Sequence, residues 1–388
     1  MIACGLILLW APSGPAQDIP KTPTFGADTK LVLVDFVVKE DGQVRPIVSF
    51  VAFNGGAPAG GAGPAEVVVE PFPSAAPPPV AGSPDTITVL FIDEGQTSPQ
   101  EAFRLRPGVK ALINAIAERN GVLALIAPWS KITLTEEAQG NKALFGAAVD
   151  KIVGRRLEGL SMFPMSDAEA IAIERGDPWI LARLARRFAL LNPGFGLDQA
   201  AMVAHGRAIE VARDARVLRE DAYEVLLQSL DWLAKQPGRH SVVMVSGGFA
   251  YDSDDSKPQE VVTRSLRANA PIHFIDARGL QGLGRFQGAE FGPGLDRDAG
   301  ETPFAFAEAA EGSTNLASDT GGLIIRNVND IAKGLARVLD TMTTYYLIGY
   351  QPPEHKKPGF RKIKVEVLTK GLKVVARRGY FDEGSTAP

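Results

Sequence analysis

Oxygen-bearing side chains at the ends of three apolar runs are the residues best placed to do chemistry in this sequence. Asp93 ends the run TITVLFID, Ser246 lies in SVVMVSGG, and Asp276 lies in PIHFIDARG. Carboxylate and hydroxyl oxygens are the ligands that hard divalent cations prefer. Continuous apolar runs are typical of strands in a parallel sheet that helices cover on both faces. Because ligands bind beyond the carboxyl ends of such strands, we expect the three side chains to meet at one edge of a sheet.

The same residues do not form a catalytic set. Ser246 follows a strand-like run, as the nucleophile of a hydrolase does, but the glycine that should stand two positions earlier is absent. A triad would also need a histidine in a late loop, and none of the four histidines has that position. His273 lies inside a predicted strand, where a core residue is expected. We therefore predict that the protein is not an enzyme.

Composition and charge exclude several classes of partner. The chain has 388 residues and a formal net charge of −4, which gives no electrostatic case for nucleic acid. The aromatic content of 7% offers no surface for base stacking. Beyond the N-terminal segment no run approaches the ~20 apolar residues that span a membrane, so no membrane span is predicted. Trp129 and Trp179 are expected to pack in the interior, which is the commoner fate of tryptophan; the alternative is that they are exposed anchors for a partner.

The first 17 residues, MIACGLILLWAPSGPAQ, have the pattern of a secretory signal. An apolar segment is followed by small residues, with Gly14 and Ala16 placed for cleavage after Ala16. We expect export, and hence a secreted, periplasmic or cell-envelope location. Because the segment lacks basic residues at its start, a buried N-terminal strand is the alternative. Cys4 precedes the apolar stretch, which argues against a lipid-anchored cysteine.

Shifts in composition divide the rest of the chain into four parts. The turn of the N-terminal hairpin is expected at Glu40-Asp41-Gly42, and the linker that follows the hairpin is rich in Gly, Ala and Pro. Since neither set of terminal strands can bury an apolar face alone, we expect them to pack together. The predicted parts are an N-terminal β hairpin at 18–53, a linker at 54–84, a main α/β domain at 85–342 and C-terminal β strands at 343–382.

A helical insertion is predicted within the main domain, at about 155–237. Ser166 and Glu169 have the spacing of a capping box, and Asp177 stands at the start of the next helix. A long helix is predicted from about residue 198 to residue 236. Three other predictions concern single elements: a helix at 109–118 that starts after Pro107, an edge strand at 130–134, and a hairpin turn at 369–371 between the last two strands.

Three stretches of the sequence resemble one protein family. They are DFVVKEDGQVRPIVSF at 35–50, LAKQPGRHSVVMVSGGF at 233–249, and IHFIDARGL at 272–280 together with residues 316–350. Through them the chain resembles the secreted von Willebrand factor A-related proteins of Acidobacteria. The resemblance implies a doubly wound, mostly parallel, Rossmann-type sheet of the von Willebrand factor A kind. It also implies a metal-ion-dependent adhesion site made of an Asp-x-Ser-x-Ser loop, a threonine from a second loop and an aspartate after a later strand.

This sequence keeps part of that metal site. Asp93 matches the first ligand, and Thr97 can take the place of the second serine of the loop. Gly95 removes one hydroxyl, and Ser246 stands where the later aspartate is expected. Losing a hydroxyl and a carboxylate lowers divalent affinity, because ligand number and charge set it. We predict a degenerate site with weak Mg²⁺ or Ca²⁺ binding, in the millimolar range or absent, and no other cofactor.

Several other residues are candidate helpers at this site. Thr133 and Thr135 both fit the threonine loop, and the sequence does not choose between them. Glu94 alternates away from Asp93 but could supply an oxygen. The acidic stretch at 252–255 could do the same, although such a loop is usually only solvated.

The sequence therefore predicts a non-enzymatic, secreted protein-interaction module of the adhesion type, with a protein partner. The alternative is an envelope structural or assembly protein that contacts its partners through the helical insertion. An apolar stripe left exposed on residues 198–216 would favour the alternative.

Overall fold

The computed structural model describes most of the predicted main domain and parts of the terminal segments. The remainder of the predicted leader and most of the predicted linker at 54–84 lie outside the described residues. The described residues are 7–10, 36–54, 57–58, 86–156, 163–279, 307–327, 334–339, 345–353, 355, 357–369 and 373–382.

The described elements alternate between strands and helices in the middle of the chain and are strands at both ends. Residues 334–339 are also helical. The strands are β1 (Ile7–Trp10), β2 (Phe36–Glu40), β3 (Gln43–Arg45), β4 (Ile47–Asn54), β5 (Ala57–Pro58), β6 (Thr86–Ile92), β7 (Val122–Ala127), β8 (Ile132–Glu137), β9 (Arg239–Ser246), β10 (Ile272–Asp276), β11 (Ile324–Ile325), β12 (Tyr345–Tyr350), β13 (Gly359–Val367), β14 (Lys373–Ala376) and β15 (Gly379–Asp382). The helices are α1 (Pro99–Ala117), α2 (Lys142–Val149), α3 (Asp167–Glu174), α4 (Pro178–Leu191), α5 (Leu197–Leu233), α6 (Lys257–Arg267) and α7 (Glu311–Thr320).

A six-stranded, mostly parallel sheet forms the centre of the main domain, which confirms the α/β prediction. Its strand order is β11-β10-β9-β6-β7-β8. The pairs from β11 to β7 are parallel, and β8 is antiparallel to β7 at the edge. The edge strand was predicted to begin at Ser130, but β8 begins at Ile132. The backbone amide of Lys131 donates to the carbonyl of Pro128 and closes a turn in which Lys131 has a φ of 55°.

Helices cover both faces of this sheet, so its strands are buried on both sides. Leu90 and Ile92 of β6 pack in a core with α1, α2 and residues 334–339. Val89 and Phe91 pack in a second core with the C-terminal half of α5, with α6 and with α7. Burial on both faces explains why these strands read as continuous apolar runs.

Helix α1 begins earlier than the sequence prediction placed it. The predicted start after Pro107 is wrong: Pro107 lies inside the helix, with its ring exposed. Ser98 and Glu101 form a capping box, in which each side chain accepts a hydrogen bond from the other residue's backbone amide. This reciprocal cap satisfies two amides and sets the helix start. It also fixes the chain directly after the 93–97 loop.

The helical insertion is formed by α3, α4 and the first half of α5. The capping box of Ser166 and Glu169 and the aspartate cap at Asp177 are both present, as predicted. Helix α5 has 37 residues, close to the predicted 198–236, and at ~1.5 Å per residue it is about 55 Å long. Its first half packs on α3 and α4 around alanines such as Ala204 and Ala208, and its second half packs on the central sheet.

The two ends of the chain pair with each other, which confirms the prediction that the terminal strands pack together. Strand β2 is hydrogen-bonded between β3 and β13, and β4 pairs with β12 and β5. The β2–β3 hairpin turns at Asp41 and Gly42, which both have positive φ. Buried residues of these strands, among them Val38 and Ile348, form a core of their own.

The predicted hairpin between the last two strands is wrong. Strand β13 pairs with β15 in a sheet of order β15-β13-β2-β3, whereas β14 belongs to another sheet of order β14-β1-β12-β4-β5. Local sequence favoured a turn at 369–371, but β14 pairs with a strand distant in sequence. Its partner is β1, which lies within the segment that was predicted to be an export leader.

None of the helices in the described part of the chain is both long enough and apolar enough to cross a membrane.

Candidate functional site

The predicted site lies at the carboxyl edge of the central sheet. Asp93, Ser246 and Asp276 stand at the ends of the neighbouring strands β6, β9 and β10, as the sequence predicted. Ser246 lies directly opposite Asp276 in the parallel pair, and the backbone amide of Asp93 donates to the carbonyl of Val245. The sheet therefore brings the three side chains to one edge, but their contacts differ.

Asp93 and Ser246 are in direct contact. The Ser246 hydroxyl donates to Oδ2 of Asp93 at 2.7 Å, and the backbone amide of Gly248 donates to Oγ of Ser246 at 2.9 Å. Oδ1 of Asp93 accepts from the backbone amide of Gln96 at 3.3 Å. Asp93 is only 5% exposed and Ser246 is fully buried. The carboxylate is thus held by a hydroxyl and an amide in the interior.

Burial dominates the titration of this carboxylate. It raises the pKa of Asp93 from its ordinary value of 3.8 to about 6, because the charged form loses its hydration. The Ser246 hydroxyl, the Gln96 amide and the charge of Arg156 act in the opposite direction without cancelling the effect of burial. Asp93 therefore lacks a partner that fully compensates its charge.

The loop after Asp93 is a tight 3₁₀ turn, with its polar groups directed inward. Residues Glu94–Gln96 form the turn, and Asp93 caps it. The Thr97 hydroxyl donates to the backbone carbonyl of Asp93 at 2.7 Å rather than lying beside the carboxylate. Glu94 is fully buried and accepts hydrogen bonds from the amide and the hydroxyl of Ser130. These groups stabilise the loop from within.

Neighbouring side chains pack tightly over this turn. A Cβ atom added at Gly95 would lie 2.9 Å from Cδ2 of Leu218 in α5 and 3.4 Å from Nε1 of Trp129. Helix α5 therefore lies directly over the position where the family pattern has a serine. Gln96 is 2% exposed and Thr97 is fully buried, so a partner has no access to either.

Two other glycines bring backbone against the same turn. The amide of Gly247 donates to the carbonyl of Gln96 at 3.0 Å, and a Cβ at Gly247 would lie 2.1 Å from that oxygen. A Cβ at Gly154 would lie 2.3 Å from the carbonyl oxygens of Thr97 and Ser98. Both positions require glycine because backbone approaches backbone there. The edge is closed by the segments after α2 and β9 as well as by α5.

A divalent cation does not fit this arrangement of oxygens. A hard cation needs six or more oxygens, several of them carboxylates, and an open position for the partner. Here both carboxylate oxygens of Asp93 and the hydroxyls of Thr97 and Ser246 are engaged with one another or with backbone. Within the described part of the chain, no group of three or more His, Cys, Asp or Glu side chains could hold a metal ion.

Asp276 forms an ion pair with Arg278, two residues later in sequence. Nε and Nη2 of Arg278 donate to the two carboxylate oxygens of Asp276 at 2.9 Å and 2.7 Å. Both side chains are about 5% exposed or less. The pair places a satisfied, buried ion pair at the edge, and Asp276 does not contact Asp93 through any described bond.

The candidate threonines lie away from this edge. Thr133 and Thr135 are exposed residues of β8, opposite Ile126 and Ala124 of β7. Since β7 lies between β8 and β6, either threonine is about two strand spacings, ~10 Å, from β6. Ser130, which the sequence assigned to a strand, is the hydroxyl that reaches the loop instead.

The acidic stretch after β9 binds Arg175, at the end of α3, and Arg219 in the second half of α5. Asp252 accepts from Arg219 at 2.8 Å and also contacts Arg175, and Asp255 accepts from Arg219 at 3.1 Å. The Arg219 side chain is 3% exposed, so this pairing is largely shielded from water. The stretch was expected to be solvated or to lend oxygens to a metal, and it instead fastens the insertion to the edge of the sheet.

His273 is a core residue, as predicted. Its Nδ1 accepts a hydrogen bond from the backbone amide of Leu323 at 3.0 Å, and burial lowers its pKa to about 3. The ring is therefore neutral at every physiological pH.

Trp129 and Trp179 are exposed, contrary to the expectation that they pack inside. Their exposed fractions are 46% and 82%. The guanidinium carbon of Arg155 lies 5.6 Å from the centroid of the Trp129 ring. Composition alone does not distinguish an exposed tryptophan from a buried one; only the packing of the segments around it decides.

Comparison with known proteins leaves the family open. No family model matches the sequence, and no curated protein is similar to it. Among solved structures, proximal thread matrix protein 1 from the mussel byssus has 9% sequence identity to this chain and a TM-score of 0.27. The match covers 69% of this chain and 48% of the mussel protein chain. The pilus adhesin SpaC from Lactobacillus rhamnosus GG, in its open conformation, has 9% sequence identity to this chain and a TM-score of 0.31. The match covers 78% of this chain and 38% of the adhesin chain. At these TM-scores neither likeness carries an argument about fold or function.

Proposed function

We propose that the protein is an exported, non-catalytic protein-interaction module of the adhesion type, in which the metal-dependent site has degenerated. The observation that carries this proposal is the closed state of the sheet edge. The oxygens of Asp93, Thr97 and Ser246 bind one another or backbone, and Leu218 covers the loop. Adhesion through a metal needs an open coordination position, which this edge lacks.

The chemistry of the edge also supports a non-catalytic role. A serine nucleophile needs a base that can take its proton and an orienting group for that base. The Ser246 hydroxyl donates to Asp93 in the interior, and the neutral ring of His273 accepts from a backbone amide inside a strand. These groups have structural partners and no access for a substrate.

The metal aspect is tested by calorimetric titration of the purified protein with Mg²⁺, Ca²⁺ and Mn²⁺. We expect binding weaker than about 1 mM, because one buried carboxylate cannot hold a hydrated divalent ion. Partner capture from an envelope extract, repeated with EDTA and with Mg²⁺, should then give the same bound protein. Micromolar affinity for a divalent ion, or capture that EDTA abolishes, would overturn the proposal.

Export is tested separately by fractionation and N-terminal sequencing. The small residues around Ala16 predict a mature chain that begins at residue 17, and this chain would lack β1, the strand that pairs with β14 and β12 in the full chain. Recovery of the intact chain, Met1 included, from the cytoplasm would contradict this part of the proposal.

A second candidate is an assembly role in which the insertion contacts the partner. The observation in its favour is an exposed apolar strip on α5: Met202 is 71% exposed and Ile209 is 50% exposed, seven residues apart on one side of the helix. Trp179 at the start of α4 is exposed as well. The charged double substitution Met202→Glu/Ile209→Glu should abolish capture if this face is used, and should leave capture unchanged if it is not.

A further inference from the structure

A small surface beside the closed edge has the composition of a binding hot spot. Three segments meet at it: the 94–96 turn, the loop after β7 that contains Trp129 and Ser130, and residues 151–156 after α2. The amide of Ser130 donates to Oε2 of Glu94 at 3.0 Å, and the amide of Arg155 donates to the carbonyl of Glu94 at 2.8 Å. Glu94 therefore holds the two outer segments together from below.

The Trp129 and Arg155 side chains form the centre of this surface. The guanidinium carbon of Arg155 lies 5.6 Å from the centroid of the indole ring, a cation–π distance. Trp129 Nε1 would lie 3.4 Å from a Cβ atom added at Gly95, so one edge of the ring lies against the turn. The exposed fraction of Trp129 is nevertheless 46%. Tryptophan and arginine are the residues most enriched among interface hot spots.

The exposed charges of this surface are positive. Lys131, Lys151 and Arg155 are all exposed, and in the part of the chain that the structure describes none of the three is paired with a carboxylate. Asp150, which precedes Lys151, is paired with Lys110 at 2.7 Å, and Glu94 is fully buried and bound to Ser130. The surface thus offers an aromatic face and cations to a partner, with the acidic group held underneath.

We propose that this Trp129–Arg155 surface, defined by Trp129, Lys131, Lys151 and Arg155, binds an acidic peptide segment of a protein partner directly, without a metal ion. A guanidinium held at cation–π distance from an indole ring can still donate its N–H groups to a carboxylate in bidentate geometry. An apolar side chain of the same segment packs on the exposed ring. The inference rests on the proposed interaction function and adds to it the surface and the chemistry of the partner.

The probe is a fluorescein-labelled peptide of glutamates around one central phenylalanine, followed by fluorescence anisotropy with the full-length protein in EDTA. We expect it to bind, and we expect the matched lysine peptide not to bind. Raising the salt to about 1 M, where the screening length is about 3 Å, should weaken binding strongly. Trp129→Ala and Arg155→Glu should each weaken it by about tenfold or more, and Arg155→Lys should fall in between.

Exposed residues of the same types elsewhere supply the matched controls. Trp179→Ala and Arg213→Glu remove an exposed tryptophan and an exposed arginine of the insertion, and neither should change binding. Circular dichroism and thermal unfolding verify that Trp129→Ala and Arg155→Glu stay folded; should either unfold, Lys131→Glu and Lys151→Glu replace it in the comparison.

Two outcomes overturn the inference. One is the absence of binding of the glutamate peptide by the parent protein up to about 1 mM. The other is binding that the Trp129 and Arg155 variants leave unchanged or that Trp179→Ala removes. Either result leaves the proposed function standing if partner capture is insensitive to EDTA, whereas EDTA-sensitive capture overturns the proposed function whatever the peptide does.

Discussion

Asp93 is a buried carboxylate whose charge is only partly compensated, and this has a consequence for stability. Its pKa is raised in the folded state to about 6, whereas an unfolded chain has the ordinary value of 3.8. Between these values the folded protein binds more protons than the unfolded chain, so stability falls as pH rises from about 4 to about 6 and then levels off.

We predict that Asp93→Asn removes this slope. Asparagine keeps the shape, and its oxygen can still accept from the Ser246 hydroxyl. Its NH2 group cannot accept from the Gln96 amide, as Oδ1 of Asp93 does, but the side chain carries no charge to desolvate. At neutral pH the variant should be more stable by up to about 3 kcal/mol, the equivalent of a shift of about two pKa units. Urea unfolding at a series of pH values measures this, with the exposed Asp214→Asn as the control. A variant that is less stable than the parent at neutral pH would show that the charge of Asp93 is stabilising.

A second prediction at the residue scale concerns restoring the metal ligands. The double substitution Gly95→Ser/Ser246→Asp supplies the missing hydroxyl and carboxylate, and it should strengthen divalent binding by more than tenfold, or at least about 1.4 kcal/mol. Leu218 has to move aside for the new side chain at position 95. Without metal, two carboxylates would meet in the interior and the protein should lose stability. Thermal unfolding with and without Mg²⁺ measures both effects, with Ser246→Ala as the control, and a midpoint that Mg²⁺ does not raise would contradict the degenerate-site proposal.

At the scale of elements, a buried ion pair joins two helices of the insertion. Arg187 is 2% exposed and donates to both carboxylate oxygens of Glu169, at 3.0 Å and 2.8 Å. Burial alone would raise the pKa of Glu169, but the hydrogen bonds and charge of Arg187 hold it below its ordinary value. The same carboxylate also caps α3, so the pair joins α3 to α4.

Two arginines that bind this carboxylate differ in exposure and provide a matched test. Arg187→Met leaves Glu169 buried without its main partner and should cost about 3–5 kcal/mol of unfolding free energy. Arg183 donates to Glu169 at 2.7 Å, but its side chain is 46% exposed, so Arg183→Met should cost about 1 kcal/mol or less. Chemical denaturation followed by hydrogen exchange of α3 and α4 separates the two cases. Equal costs would show that burial does not decide the strength of this pair.

At the scale of the whole molecule, strands from the two ends of the chain form joint sheets. Strand β2 lies between β3 and β13, with Val38 opposite Val365 and Arg45. Val38 is fully buried, whereas Val44 on the neighbouring strand is 63% exposed. The N-terminal hairpin therefore has its apolar face covered by strands that follow the main domain in sequence.

We predict that Val38→Asp separates the terminal strands from each other, because an unpaired carboxylate in this core costs about 3 kcal/mol or more. Val44→Asp, on the exposed position, should change stability by about 0.5 kcal/mol or less. Hydrogen exchange should show loss of protection in β2 and β13 together for Val38→Asp. Loss confined to β2 would mean that β13 does not depend on this pairing.

The pattern of single segments was enough to predict much of the fold. The apolar runs that end at Asp93, Ser246 and Asp276 predicted neighbouring parallel strands, since a strand covered on both faces needs apolar side chains on both sides. The caps at Ser166 and Asp177 and the length of α5 followed from local rules of helix termini. Helix α1 starts earlier than predicted because the capping box of Ser98 and Glu101, and not Pro107, marks its first turn.

The residue types at the candidate site could be predicted from the sequence, but whether the site is open or closed could not. The residue types at positions 93, 95, 97 and 246 are set by the chain itself, and they predict a depleted set of ligands. Whether those groups face a partner or one another depends on Leu218 and Ser130, which approach from distant parts of the chain. No periodicity or spacing encodes such an approach.

The sequence by itself determined the local elements and the order of the apolar runs, because these depend on residue types and on spacings of a few positions. Only the tertiary structure decided that the edge is closed, that β14 pairs with β1 rather than with β13, and that Trp129 stays exposed beside Arg155. These features depend on which segments far apart in the chain pack together. The free energy of that packing depends on the residues of both segments, so the pattern of one segment does not predict it.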